Sequence, residues 1–263
     1  MRRMIRGLKS IDRLPEISRC TRNVREYLAV IQAFLGLRKL RYPIELHDNQ
    51  GQKLIIYDFE DLTTLWAVWC ADEYRVPSDA LTVIDAGANI GAFSLFAKKS
   101  APQCQIVAIE PFPSTFDKLV SNITRNNMQN SVTCKCLALG ASPGHLFMSA
   151  APEIKSHSRK TQEKPSDQNF ISVECVGLES IVSEFLAKEV DYLKIDIEGG
   201  EVPFIVDSDR NDLRLARKIG IECHSIDGRE RVWAKLEQSG FKLDRVSRGS
   251  LKTAGSTAEF LRV

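Results

Sequence analysis

From residue 81 onward, short apolar runs alternate with longer stretches whose apolar positions recur at helical spacing. The runs at 81–85, 105–110, 132–137, 190–196 and 216–224 have the length and flanks of strands. Helices are expected over 91–99, 114–126, 178–188, 201–208 and 229–239. Near-continuous apolar strands separated by helices signal a parallel sheet covered on both faces. Two further runs, 241–247 and 259–263, flank a Gly- and Ser-containing turn and predict a terminal hairpin, hence an antiparallel edge. Between Gly144 and Val176 the pattern changes: two short strands, 145–150 and 170–176, flank a polar stretch, 151–169, read either as a substrate-facing lid or as a disordered surface loop.

Residues 1–80 have no such rhythm. Positions 24–37 and 62–72 read as helices, the second carrying Trp66 and Trp69, and 54–59 reads as a strand. The division expected is a basic helical cap over 1–73 ahead of the main domain at 74–263. The whole chain has 263 residues and a net charge of +2, too balanced for a protein that coats nucleic acid. That average hides an asymmetry: eleven Lys and Arg against three acids give residues 1–42 a net charge of +8, and the remainder carries −6. Such a head suits an acidic acceptor, an anionic membrane surface or another subunit. The apolar run 27–37 is about half of the ~20 residues a bilayer span requires, and reads as a core or dimer-forming helix or as a surface anchor. The start of the chain is basic without the apolar core of a secretory signal. The seven cysteines, an odd number without CxxC spacing, suggest reduced thiols rather than a disulfide framework or a zinc site. The expected location is cytoplasmic, with peripheral membrane contact left open.

Four segments carry chemistry. In VIDAGANIG (83–91) an apolar strand ends in Asp85, turns through Gly87, Ala88 and Asn89, and enters a helix at Gly91. Gly87 is expected to let a ligand approach the backbone and Gly91 to let the helix pack closely. The spacing is not GxGxxG, and Asp85 repels a pyrophosphate but suits a ligand bearing an ammonium group. Glu110 closes the next strand nineteen residues after Gly91, where a carboxylate accepts hydrogen bonds from ribose hydroxyls; Pro111 and Phe112 follow it, the latter as adenine contact or core residue. In the strand leading to Asp196, parity puts Lys194, Asp196 and Glu198 on one face. A buried lysine needs an acidic partner, with Asp196, Glu198 and Glu222 as candidates. In the last parallel strand Glu222 and His224 share a face at the carboxyl end, where open α/β sheets bind ligands.

VIDAGANIG, AIEPFPSTFDKLVSNITRNN, LALGASPG, DYLKIDIEGGE and GIECH, in this order, closely resemble the FkbM-type family of S-adenosylmethionine-dependent methyltransferases. The resemblance covers roughly residues 74–224. It implies an α/β class I methyltransferase (Rossmann-like) fold, a seven-stranded, mostly parallel sheet whose last strand is antiparallel, in accord with the hairpin. It also implies S-adenosyl-L-methionine as donor and a hydroxyl of a sugar, glycoconjugate or natural product as acceptor. By the same resemblance Asp85, Gly87, Asn89 and Gly91 frame the methionine half and Glu110 holds the ribose, with Ala88, Pro111 and Phe112 also among the expected donor-binding residues. Ala138 and Leu139 border the adenine, and Asp196 meets the transferred methyl. An alcohol needs a base at neutral pH, and His224, oriented by Glu222 or Asp196, is the first expectation, with Asp196 acting directly as the second. Asp196, Glu198 and Glu222 with His224 are an alternative set for a divalent metal, but no metal is expected, because the spacing selects none and Lys194 opposes a dense cationic site. The alternatives weighed are a nicotinamide-dependent oxidoreductase and a non-catalytic protein that kept the fold.

Overall fold

A computed structural model describes residues 13–150, 161–162, 170–186, 189–248 and 256–263. The first twelve residues of the basic head and most of the 151–169 stretch, lid or loop, lie outside them. The described N-terminal part comprises helices α1 (Leu14–Asn23) and α2 (Tyr27–Phe34), an antiparallel hairpin of β1 (Ile44–His47) and β2 (Lys53–Ile56), and helix α3 (Phe59–Leu65). Helix α3 is capped by the Asp58 carboxylate, which accepts from Asp61 N–H, and runs on into a π turn, Trp66–Cys70. The helices expected there are present, joined by a hairpin of which the sequence pattern showed one strand.

The main sheet adds β3 (Thr82–Ala86), β4 (Gln105–Ile109) and β5 (Val132–Lys135), alternating with α4 (Ala92–Ser100) and α5 (Pro113–Arg125). Strands β6 (Ala138–Leu139), β7 (Gly144–Ser149), β8 (Thr161–Gln162) and β9 (Phe170–Val176) form a separate four-stranded sheet. The expected strand 132–137 thus ends at Lys135, and Cys136 and Leu137 lead out of the main sheet to β6 of the small one. The chain returns through α6 (Leu178–Ile181), β10 (Val190–Ile195), α7 (Glu201–Asp207), α8 (Arg210–Leu213) and β11 (Ala216–Cys223). Helix α9 (Ile226–Gln238) and the hairpin β12 (Phe241–Arg248) and β13 (Ser256–Arg262) complete it.

The seven strands lie in the order β12–β13–β11–β10–β3–β4–β5, with β13 antiparallel to both neighbours and the others parallel. Side chains alternate between two cores, as strand geometry requires. Val83, Ile106 and Tyr192 face α4, α5 and the N-terminal elements, whereas Ile84, Val107 and Leu193 face α7 and α9. One core therefore joins residues on both sides of position 73, from Cys20 and Leu54 to Phe93 and Tyr192. Buried Asn122 on α5 fastens the hairpin: it accepts from Ile55 N–H and donates to the carbonyls of Ile55 and Ile90. At the other edge, buried Glu259 on β13 accepts from Arg75 N–H, the Tyr192 hydroxyl and Arg245 Nε. The connections on either side of β3 and β10 run in opposite directions across the sheet, which opens a crevice at their carboxyl ends. None of the seven cysteines is paired in a disulfide. Among the described residues no helix is long and apolar enough to cross a membrane.

Candidate active site

The crevice is a cavity of about 570 Å³, of a size that holds a small molecule. At one end the loop after β3 supplies Gly87, Ala88 and Asn89. Amides of Gly87 and Ala88 donate to Ile109 O, which ties this loop to the end of β4. Asn89 holds a left-handed backbone, φ 50°, and its N–H donates to Glu110 Oε2 at 2.9 Å. Phe112 N–H donates to Glu110 Oε1 at 3.0 Å. Each carboxylate oxygen thus has one backbone donor and a further lone pair for a ligand. Burial pushes the Glu110 carboxyl up to about 7 despite those two N–H donors. Pro111, Ala138 and Leu139 line the same end, joined by Met148 of β7, which sequence reasoning missed. Phe112 is not a lining residue and packs with the small sheet's own core.

Asp85 and Gly91 do not line the cavity either. The Asp85 carboxylate is fully buried; Oδ2 accepts from Ser94 Oγ at 2.7 Å and Oδ1 faces Lys194 Nζ at 3.3 Å. It serves Lys194 rather than a ligand's ammonium group. Lys194 also lies 3.7 Å from Asp196 Oδ2 and donates to Gly87 O at 2.6 Å. Of the partners expected for this lysine, only Asp196 is within ion-pair distance; the other is Asp85, its register partner on the neighbouring strand. Its ammonium is pushed above the usual lysine range because both carboxylates outweigh the burial. Gly87, with φ 75°, gives room to the backbone carbonyl of Asp196 and not to a ligand. Gly91, with φ 89°, gives room to Leu119 of α5.

Asp196, Glu222 and His224 line the other end. His224 Nδ1 is 3.0 Å from Glu201 Oε1, and Nε2 lies 3.5 Å from Glu198 and 3.8 Å from Glu222. The orienting partner is therefore Glu201, which the sequence reading did not name. Ile197 and Gly199 N–H groups hold the buried Glu201 carboxylate in place. Its signal in the sequence was an Asp-x-Glu-x-x-Glu spacing over 196–201, followed by a lone strand-end histidine. The surrounding carboxylates push the His224 imidazole up to about 9 against its partial burial, so it is protonated at neutral pH. A protonated imidazole donates and cannot accept the proton of an alcohol.

The outer wall comes from the N-terminal elements. Phe34 stacks on Trp66 with centroids 3.9 Å apart, Arg13 lies over the Phe34 ring, and Trp66 Nε1 donates to Glu16. Thr63, Thr64 and Glu60 add polar groups on the cavity side of α3.

Residues 85–244 match the methyltransferase FkbM domain. The chain is 29% identical over 205 residues to methyltransferase sdnD of Sordaria araneosa, covering 67% of this chain and 79% of that one. It is 27% identical over 224 residues to the 31-O-demethyl-FK506 methyltransferase FkbM of Streptomyces tacrolimicus, covering 74% and 84%. The crystal structure of methyltransferase FkbM from Methylobacillus flagellatus superposes with a TM-score of 0.52 at 14% identity, over 97% of this chain. This chain spans 60% of that crystallised one, and the likeness is one of fold. With residues 85–244 matched, more than half of its length, the chain belongs to the FkbM methyltransferase family.

Proposed function

We propose that the protein is an S-adenosylmethionine-dependent O-methyltransferase whose acceptor is a hydroxyl of a natural product, sugar or glycoconjugate. The observation that carries this reading is one continuous cavity with a ribose-type carboxylate, Glu110, at one end and Asp196 with His224 at the other. The relative from Streptomyces tacrolimicus, named for a demethylated oxygen of FK506, supports both the hydroxyl and the natural product. Residues 74–263 form the donor-binding domain, which shares its core with the 1–73 extension, and the described residues of that extension face the acceptor.

When bound, S-adenosylmethionine supplies an electrophilic methyl on a sulfonium; transfer breaks the C–S bond, forms a C–O bond and leaves S-adenosylhomocysteine. Glu110 holds the ribose hydroxyls with the lone pairs its backbone donors leave unused. The loop 87–89 and the Ala138–Leu139 strand close the donor end around nucleoside and methionine. Lys194 neutralises Asp85 and steadies Asp196. Asp196 takes the acceptor's proton, because His224 already carries one; a positioned base of this kind contributes about 10²–10⁴-fold. Glu222 and the imidazolium of His224 position the acceptor oxygen.

The test is S-adenosylhomocysteine release against a panel of hydroxylated compounds, run beside calorimetric titration of S-adenosylhomocysteine. Asp196→Asn should lose turnover by about 10²-fold or more while keeping product affinity. Full turnover in that variant would remove Asp196 from the proton transfer. Absence of any S-adenosylhomocysteine binding to the unaltered protein would remove the donor assignment.

A further inference from the structure

We propose that Asp196, Glu201 and His224 form a site for a divalent first-row transition cation at the acceptor end of the cavity. The three residues come from the end of β10, the first turn of α7 and the end of β11. One ligand atom of each lies within 4.8 Å of the other two. Ligand atoms about 2.1 Å from a metal lie about 3.0–4.2 Å apart, so modest side-chain movement brings this set into place. His224 Nδ1 and Glu201 Oε1, at 3.0 Å, already have that spacing; the cation binds the neutral imidazole and so displaces the proton that His224 otherwise carries.

Two features prepare the set. The Glu201 carboxylate is oriented by the N–H groups of Ile197 and Gly199. Hydrogen bonds to a ligating carboxylate are the outer-shell support that metal sites use. Glu198 and Glu222 stand near His224 Nε2, which leaves the floor rich in negative charge; Lys194, the cation beside it, is shared among Asp196 at 3.7 Å, Asp85 and Gly87 O.

A separate observation points to a molecule in this space. The hydroxyl of Tyr74, a residue 2% exposed on the cavity wall, has no hydrogen-bond partner among the described residues. Asp196 and Glu222 are the charges it feels most strongly. A buried phenol in that condition is uncommon, because an unmet hydroxyl loses its hydration without replacement. A water or acceptor oxygen held on a cation beside Asp196 gives that hydroxyl its partner. One imidazole nitrogen with two carboxylate oxygens and open positions suits Mn²⁺, Fe²⁺, Co²⁺ or Zn²⁺ better than Ca²⁺ or Mg²⁺. The cation's role rests on the hydroxyl-acceptor reading: it polarises the acceptor O–H, whose proton passes to Asp196 or to water as the C–O bond forms.

The experiment is direct binding. Protein stripped with EDTA and dialysed is titrated with Mn²⁺, followed by electron paramagnetic resonance, and with Zn²⁺ in equilibrium dialysis. About one equivalent of one of these cations should be retained. Affinity should fall at least about tenfold in Asp196→Asn and His224→Ala, with circular dichroism and S-adenosylhomocysteine affinity checking that each variant is folded. Retention of neither cation overturns the site, as does stoichiometric binding that both variants keep unchanged. If a variant fails to fold, Glu201→Gln takes its place under the same criterion. S-adenosylhomocysteine binding by the unaltered protein is read in the same samples, so loss of the donor reading and loss of the cation site are separate results.

Discussion

The backbone carbonyl of Asp196 stands where a side chain on Gly87 would begin, so the loop after β3 and the end of β10 touch main chain to main chain. Lys194 donates to Gly87 O across the same junction. Gly87→Ala adds a Cβ at a left-handed position and pushes on the peptide that carries Asp196. We expect a loss of about 3 kcal/mol in a urea melt, together with lower turnover. Unaltered melting would mean that the two segments move apart freely.

Glu110 gives the donor end a pH dependence. Its carboxyl, held at about 7 when folded, stands above its unfolded value of about 4.5. Its protonation therefore favours the folded state fully below pH 4.5, and this contribution is lost as pH rises through 7. Ribose hydroxyls require the ionised form. S-adenosylhomocysteine affinity should accordingly rise from pH 6 to pH 8, by up to about tenfold per unit below 7. In Glu110→Gln the affinity should be weaker and this rise absent; a parallel rise in the variant would assign the titration to another group.

The Lys194–Asp85 pair predicts a compensating double substitution. Lys194→Met leaves the Asp85 carboxylate fully buried beside Asp196 without its cation, and should destabilise by about 3–5 kcal/mol. Adding Asp85→Asn removes the stranded charge and should recover a measurable part of the loss. If the double variant is as unstable as the sum of the single ones, the two residues are not coupled.

Asn122 ties the N-terminal hairpin to the sheet. Asn122→Ala leaves backbone groups of Ile55 and Ile90 without their partner, at a cost of about 2–4 kcal/mol. Limited proteolysis should then cut first in the hairpin and in the helices that line the outer wall. A cleavage pattern like that of the unaltered protein would show that the apolar core alone holds this extension.

The parallel strands were legible because buried strands read as bounded apolar runs, and the glycine loop with Glu110 because its elements adjoin in sequence. Parity placed Lys194 and Asp196 on one face, yet it could not reveal Asp85 as the lysine's partner. That pairing follows from the register of β10 against β3, which sets Lys194 beside Asp85 across more than a hundred residues. A gap of 23 residues, bridged only by the fold, likewise hid Glu201 behind His224. Helix α1 was missed because its mean hydropathy is low and it shows fully buried only Cys20 to the core. The Phe34–Trp66 stack depends on two helices meeting, which neither helix's own pattern encodes.

Glu259 sets an order of events for a chain emerging from a ribosome. It lies 184 residues after Arg75 and 67 after Tyr192, yet it receives Arg75 N–H beside the cavity wall and the Tyr192 hydroxyl from the middle of the sheet. Its strand, β13, must slip between β11 and β12 in the reverse direction. Until β13 has been made, the segment leading into β3 lacks this anchor, so the pocket is finished only once β13 has emerged and not when its glycine loop has. A chain cut before β13 should be made with its glycine loop and Glu110 intact and still be unable to hold Arg75 and the segment leading into β3 in place.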